Sequence, residues 1–163
     1  MTPFRRRGDR VEAVFGAAES GVLVLLLDQL AQVLSGDPPT GTAADDPVVA
    51  RLFPAGHATD AELARDYREL TGATLRDGKA EDLALVRATL PVDGGAVRLD
   101  TDQARSWLRT TNDLRLALGT RLGITAEGAP QGADEAQASV YHWLTAVQGS
   151  LVDALAAAGG RPR

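Results

Sequence analysis

The chain has 163 residues, of which 44% are apolar, and it carries a formal net charge of −5 at pH 7. This length predicts one domain, and the acidic balance argues against broad nucleic-acid binding. Because the chain contains no cysteine, disulfides, thiol nucleophiles and thiolate metal sites are excluded. Aromatic residues make up only 4% of the chain, so the core is expected to consist mainly of Leu, Val and Ala.

The N-terminal segment has the pattern of a β-hairpin. Two alternating segments, Phe4–Arg7 and Arg10–Phe15, flank the dipeptide Gly8-Asp9. A glycine at the first of two turn positions suits a type II′ turn. A two-stranded hairpin is marginal in water, and the short apolar segment Ala96–Leu99 is therefore predicted to be its third strand.

Four arginines cluster in this hairpin: Arg5, Arg6, Arg7 and Arg10. Charged side chains at a strand edge discourage pairing with other chains. Arginines close together can also bind phosphate groups. The cluster is thus either a solvated strand edge or a phosphate-binding patch.

Apolar residues at helical spacing predict five helical segments further along the chain. The first segment covers residues 17–35, and the second is a short stretch that begins at residues 46–47 and ends at residue 53. The third covers residues 59–90 and has a kink or break near Gly78. The last two cover residues 100–122 and 135–158. The first of them is apolar almost all round, which predicts that it is the central and most buried helix. Residues 36–46 and 125–134 are predicted to be flexible loops and residues 159–163 a tail.

Together these elements predict a mainly α (α+β) fold in a single domain, 1–163. It is expected to be a helical bundle of about five helices around the Leu-rich first helix. A small antiparallel β-sheet, formed by the N-terminal hairpin and strand 96–99, is expected to accompany the bundle.

The segment Trp107–Ile124 predicts a strong amphipathic helix. Asp100 with Gln103 forms a capping-box pattern at its start, and Gly123 suits the left-handed position after its end. Gly119 lies inside the helix and predicts the close approach of another backbone, that of the first helix or the last. One arginine, Arg115, falls within the apolar stripe, where a charge has to be paired.

A candidate polar cluster follows from that arginine and consists of Glu19, Thr111, Asn112 and Arg115. In the structural interpretation Arg115 forms an ion pair with Glu19, and the two neighbours on the same helix satisfy the remaining polar groups. In the functional interpretation Arg115, Asn112 and Thr111 line a small pocket for a carboxylate or phosphate. In a third interpretation Arg115 lies outside the core, at an interface or in water.

No pattern typical of an enzyme occurs. The chain lacks a Gly-rich phosphate loop, a GxSxG elbow and an HExxH motif, and its two histidines, His57 and His142, are expected on the surface. No catalytic, cofactor-binding or metal-binding residue is therefore predicted, and no cofactor. The apolar run Val22–Leu27 is too short for a secretory signal or a membrane span, which predicts a cytoplasmic protein with no membrane partner.

The same helix carries a family resemblance. Trp107–Ile124 reads Trp-Leu-(x)3-Asn-Asp-Leu-Arg-Leu-Ala-Leu-Gly-Thr-Arg-Leu-Gly-Ile and resembles the actinobacterial family called domain of unknown function 2017. Four weaker pieces agree in order: Asp46-Pro-Val-Val-Ala-Arg-Leu-Phe-Pro54, Tyr67-Arg-Glu-Leu70, Leu75-Arg76 with Lys79, and Tyr141-(x)-Trp143-Leu144. The resemblance implies a cytoplasmic protein of no established activity. Members tend to be encoded beside the N-degron adaptor of the Clp protease, and some are described as transcriptional or stress regulators. Redox sensing through a cysteine pair cannot operate in this chain, because it has no cysteine.

Three functional hypotheses remain at this point. The first is a non-enzymatic regulatory or protein-interaction module that binds a protein partner or itself, for example as a homodimer. The second is a DNA-binding transcriptional or stress regulator that uses the hairpin arginines. The third is a binder of small anionic ligands around Arg115.

Overall fold

A computed structural model describes residues 1–35, 47–52, 61–124, 132 and 134–157. The predicted loop 36–46, the predicted tail 159–163 and nearly all of the predicted loop 125–134 lie outside the described residues. In chain order the elements are β1 (Thr2–Arg7), β2 (Arg10–Phe15), α1 (Ala17–Ser35), α2 (Pro47–Leu52), α3 (Ala61–Thr89), β3 (Gly95–Leu99), α4 (Thr101–Leu122) and α5 (Glu135–Ala156). The fold is therefore α+β, as expected.

The three strands form one antiparallel sheet in the order β1-β2-β3. The two-residue turn between β1 and β2 has Gly8 at a φ of 62°, the left-handed value that a type II′ turn requires at its first position. The predicted hairpin and its third strand are thus confirmed. The buried face of the sheet packs against the helices and carries Phe4, Val11, Ala13, Phe15, Val97 and Leu99.

Helix α4, not α1, occupies the centre of the fold. It packs against α2, α3 and α5 and also contacts α1 and the sheet. Half of its residues are buried, among them Ala104, Trp107, Leu114 and Leu118. The prediction that the Leu-rich first helix is central is wrong, because α1 buries only one stripe and leaves Leu25 63% exposed.

The bundle contains four long helices within the described part of the chain, rather than the expected five or so. The additional helical segment, α2, has only six residues. Helix α3 runs through 29 residues without the break expected near Gly78. A Cβ atom added at Gly78 would meet nothing within 4 Å, so this glycine does not accommodate a neighbouring element.

Both ends of α4 have the predicted caps. The Asp100 carboxylate accepts a hydrogen bond from the Gln103 backbone N–H at 2.8 Å, and the Asp100 N–H donates to the Gln103 side chain at 2.9 Å. At the other end Gly123 has a φ of 68°, and the N–H of Ile124 donates to the Gly119 carbonyl at 2.9 Å. This reciprocal bonding satisfies backbone groups that a bare helix end leaves unpaired.

An aromatic cluster joins the sheet to the helices. The rings of Phe4 and Phe15 lie 5.4 and 5.8 Å, centroid to centroid, from the ring of Trp107. The Trp143 ring contacts Phe15 edge-on at 6.4 Å. The indole N–H of Trp107 donates to the Thr89 hydroxyl at 2.8 Å, so the largest buried side chain is also satisfied in its polar group. Although aromatic residues are few, they are concentrated where β1, β2, α4 and α5 meet.

Candidate functional site

Arg115 lies on the side of α4 that faces the N-terminal half of α5. Its Nε–H donates to the Thr145 hydroxyl at 2.9 Å, and its guanidinium carbon lies 5.1 Å from the centroid of the Tyr141 ring. The ring face is electron-rich and attracts the cation. These two contacts fix the guanidinium without neutralising its charge.

The predicted ion pair between Arg115 and Glu19 is wrong. Glu19 lies in the first turn of α1, where its carboxylate accepts a hydrogen bond from the Gly16 N–H at 2.7 Å. The same carboxylate lies 2.9 Å from the N-terminal ammonium of Met1. Glu19 therefore serves the N-terminus of its own helix, and the hydrogen bond from Gly16 lowers the pKa of the carboxyl group below its usual value.

The four residues of the predicted polar cluster do not come together. The Asn112 carbonyl accepts a hydrogen bond from the Gln148 amide at 3.2 Å, and Thr111 is buried in the core. Within the described residues no hydrogen bond or ion pair joins any two of Glu19, Thr111, Asn112 and Arg115. Because α4 is surrounded by several elements, residues that share an apolar stripe face different neighbours.

The most buried ion pair of the described residues lies on another face of α4. The Lys79 ammonium donates to both carboxylate oxygens of Asp113, at 2.8 and 2.9 Å. The Asp113 residue is only 5% exposed. Asp113 therefore does not pair with Arg109, its neighbour four positions back on the same helix, because its carboxylate bonds to Lys79 of α3.

Arg109 pairs with a different carboxylate of α3. Its Nε and Nη2 groups donate to the two oxygens of Asp82 at 2.7 and 2.8 Å, and Nη2 also donates to the Ser106 hydroxyl. Burial alone would raise the pKa of Asp82, but the hydrogen bonds from Arg109 and Ser106 outweigh it and lower that pKa. For Asp113 burial dominates over the hydrogen bonds from Lys79, so its pKa is raised.

We refer to Lys79, Asp82, Ser106, Arg109 and Asp113 as the α3–α4 network. The sequence contained one signal for it, since Lys79 is the single lysine among 17 basic residues and stands three positions before Asp82. Two clefts of the structure, one beside Leu118 and one beside Tyr141, contain no residue of this network in their walls. In addition, no group of residues in the described part of the chain could hold a metal ion. The network thus clamps two helices together.

A cleft of about 270 Å³ opens beside Arg115. Arg51 of α2 lines it together with Arg115, Gly119 and Tyr141. A Cβ atom at Gly119 would lie 2.8 Å from a carbon of the Tyr141 ring, so only glycine lets the ring lie this close to α4. The last helix does approach α4 at Gly119, but through the ring of Tyr141, so the prediction that another backbone lies closest there is wrong.

The outer face of the sheet is strongly basic. Four arginines and one glutamate occupy this exposed basic sheet face: Arg5, Arg7, Arg10, Arg98 and Glu12. Glu12 lies between Arg5 and Arg98 in the strand register, with the Arg98 Nε 3.5 Å from its carboxylate. Arg98 was missed in the sequence, since only the pairing of β3 with β2 brings it to this face.

An apolar strip runs along the solvent side of α1. Val22, Leu25, Leu26 and Val33, here called the α1 strip, are exposed or half-buried, and Leu25 is the most exposed of the large apolar residues described. The groove beside the strip, between α1 and α4, has a volume of only about 10 Å³, too small for a small-molecule ligand. By length and composition alone α1 could also cross a membrane.

The fold and these surfaces define a small α+β protein in which ion pairs join α3 to α1 and α4, while a basic sheet face and an apolar strip on α1 face solvent. The chain belongs to a family described as a domain of unknown function (DUF2017), which matches residues 1–155. A Mycobacterium leprae relative is 34% identical over 130 residues, which cover 69% of this chain and 60% of that protein. Relatives from Mycobacterium bovis and Mycobacterium tuberculosis, both named "Oxidative stress regulator AosR", are 33% identical over 124 residues. Those matches cover 66% of this chain and 57% of each relative, so the chain spans less than two thirds of their length. No solved structure matches this chain at a significant level.

The N-terminal carboxylate of α1 makes the stability depend on pH. Because the folded-state pKa of Glu19 is lowered below 4.5, its contribution is fully present above that pH and is lost as the pH falls through the folded pKa. We expect Glu19→Gln to cost about 0.5–1 kcal/mol of unfolding free energy at pH 7 and almost nothing at pH 3. Urea unfolding at both pH values measures the difference. Glu81→Gln, on the exposed side of α3, is the control for losing one negative charge. If Glu19→Gln cost the same at both pH values, the ionised Glu19 carboxylate would not be what stabilises the start of α1.

Proposed function

We propose that this chain is a non-enzymatic regulatory module of the cytoplasm that acts through protein contacts, in the first place with a second copy of itself. The α1 strip is the observation that carries the proposal. The names of the mycobacterial relatives support a regulatory role.

The pattern of burial on α1 favours a protein partner over a lipid bilayer. Leu23, Leu27 and Leu30 are buried in the core beside α3 and α4, so α1 cannot leave the bundle without exposing that core. On the solvent side of α1, Leu25 and the other members of the α1 strip are exposed or half-buried. Large apolar side chains grouped on one surface are typical of interaction sites.

The strip is not purely apolar, because the exposed Gln29 stands among its members at helical spacing. The Arg121 guanidinium donates to the Gln29 side chain at 3.0 Å, beside Leu26 and Val33. Apolar side chains accompanied by hydrogen-bonded polar groups, arginine among them, are typical of protein–protein interfaces. A two-fold dimer would pair each strip with its own copy, as in most soluble homo-oligomers.

Replacing Leu25 by glutamate tests the self-association. We expect the wild-type chain to sediment as a dimer at high micromolar concentration, and Leu25→Glu to sediment as a monomer with unchanged stability, because a charge would then face its own copy. Val92→Glu is the matched control, since Val92 is 62% exposed but belongs to the turn before β3 and not to the α1 strip. A wild-type monomer at all concentrations, or a Leu25→Glu dimer, would contradict self-association through the strip.

The basic sheet face favours duplex DNA as a second candidate partner. In a chain with a net charge of −5, four arginines on one sheet face are a marked segregation of charge. The logarithm of the DNA-binding constant falls linearly with the logarithm of the salt concentration, with a slope of about 0.9 per neutralised phosphate. We expect the double variant Arg5→Gln/Arg98→Gln to reduce that slope by about 2 in fluorescence anisotropy with a DNA duplex, and Arg105→Gln on α4 to leave it unchanged. No detectable binding at low salt would exclude this candidate.

A further inference from the structure

We propose that the cleft between α2, α4 and α5 binds a small organic phosphate, with Arg51 and Arg115 as its two cationic ligands. This site does not depend on the α1 strip or on self-association. Its volume of about 270 Å³ is close to the lower end of the range for small-molecule sites.

Arg115 differs from most arginines of the described chain in having no carboxylate partner there. Six others lie within ion-pair distance of Asp or Glu: Arg7, Arg10, Arg87, Arg98, Arg105 and Arg109. The Nε of Arg115 is held by Thr145, and its guanidinium by the Tyr141 ring. Its terminal amino groups make no hydrogen bond to the described residues and remain available to an anion.

Arg51 supplies a second guanidinium to the same cleft. It lies in the last turn of α2 and is exposed, and it forms no ion pair with a described carboxylate. Two guanidinium groups can supply two positive charges and several N–H donors, which suits the doubly charged oxyanion of a phosphate monoester better than a single carboxylate.

The remaining wall indicates what the phosphate is attached to. The Thr120 hydroxyl donates its proton to the Leu116 carbonyl at 2.7 Å, so toward the cleft it can only accept a hydrogen bond. Tyr141 and Ile124 add an apolar surface. The cleft therefore suits a ligand that has an apolar or aromatic body and one hydroxyl or N–H donor beside its phosphate.

Titration of the ¹⁵N-labelled full chain with phenyl phosphate, inorganic phosphate and benzoate tests the site. We expect saturable shifts of the backbone amides of Leu116, Gly119 and Thr120, with tighter binding of phenyl phosphate than of inorganic phosphate or benzoate. Arg115→Gln and Arg51→Gln should each weaken the affinity at least tenfold. Arg105→Gln, an exposed arginine elsewhere on α4 that pairs with Asp102, should retain it.

Shifts that do not saturate, or that are equal in all three arginine variants, would mean non-specific attraction to surface arginines and would overturn the proposal. Tighter binding of benzoate than of phenyl phosphate would overturn the phosphate assignment. If Arg115→Gln fails to give a folded spectrum, the exposed Arg51 decides the outcome by itself, because its replacement removes no hydrogen bond or ion pair within the described residues.

Discussion

Lys79→Met is expected to lower the free energy of unfolding by about 3–5 kcal/mol at pH 7, because it leaves the Asp113 carboxylate buried without a partner. The carboxylate is almost fully enclosed and accepts two hydrogen bonds from the lysine. Urea unfolding of the two chains measures the loss.

The pH dependence of that loss identifies its cause. A carboxyl group whose folded pKa is raised stabilises the folded state more at low pH, and this advantage is lost as the pH rises through the folded pKa. The pKa of Asp113 is raised by burial even with the lysine present. The cost of Lys79→Met should therefore shrink as the pH falls toward 4.

Two further variants separate charge from packing. Adding Asp113→Asn to Lys79→Met should recover part of the stability, because the buried group is then neutral. Arg109→Gln removes a bidentate pair whose arginine side chain is 59% exposed, and it should cost no more than about 1 kcal/mol. Equal losses for Lys79→Met and Arg109→Gln would contradict a buried charge at Asp113.

Trp107→Ala is the second large effect, with an expected loss of about 3–5 kcal/mol. Its ring is 1% exposed and contacts both phenylalanines of the hairpin, so its removal leaves a cavity between the sheet and α4. Chemical denaturation followed by circular dichroism measures the loss. A loss below about 1 kcal/mol would contradict the central position of this side chain.

Conservative changes at the two tryptophans separate the hydrogen bond from the packing. Trp107→Phe removes the N–H that donates to Thr89 and should cost about 1–3 kcal/mol from the lost bond and lost volume. The Trp143 N–H is buried but has no hydrogen-bond partner among the described residues. Trp143→Phe should therefore cost less than Trp107→Phe.

Local features were predictable from the sequence because neighbouring residues determine them. The turn at Gly8-Asp9 depends on the backbone freedom of one glycine, and the caps of α4 depend on hydrogen bonds that span three to five residues. The third strand was predictable by one further argument, namely that a two-stranded hairpin needs another strand to be stable. β3 is that strand.

Contacts between helices were not predictable in the same way. The angular positions of Arg115 and Asp113 on α4 follow from the sequence, but the neighbour that each one meets depends on how the four other helices and the sheet surround α4. Arg115 was expected to meet Glu19 and instead meets Tyr141. Helix α1 is apolar on nearly every side, so hydrophobicity alone could not show which stripe enters the core and which remains exposed.

The position of the contact between copies is the most direct test of the proposed function. In a mixture of isotope-labelled and unlabelled chains, an isotope-filtered NOE spectrum records only contacts between different molecules. Self-association through the α1 strip predicts such contacts at the methyl groups of Val22, Leu25 and Val33. Contacts confined to another surface, or none in a sample concentrated enough to show dimers, would contradict it.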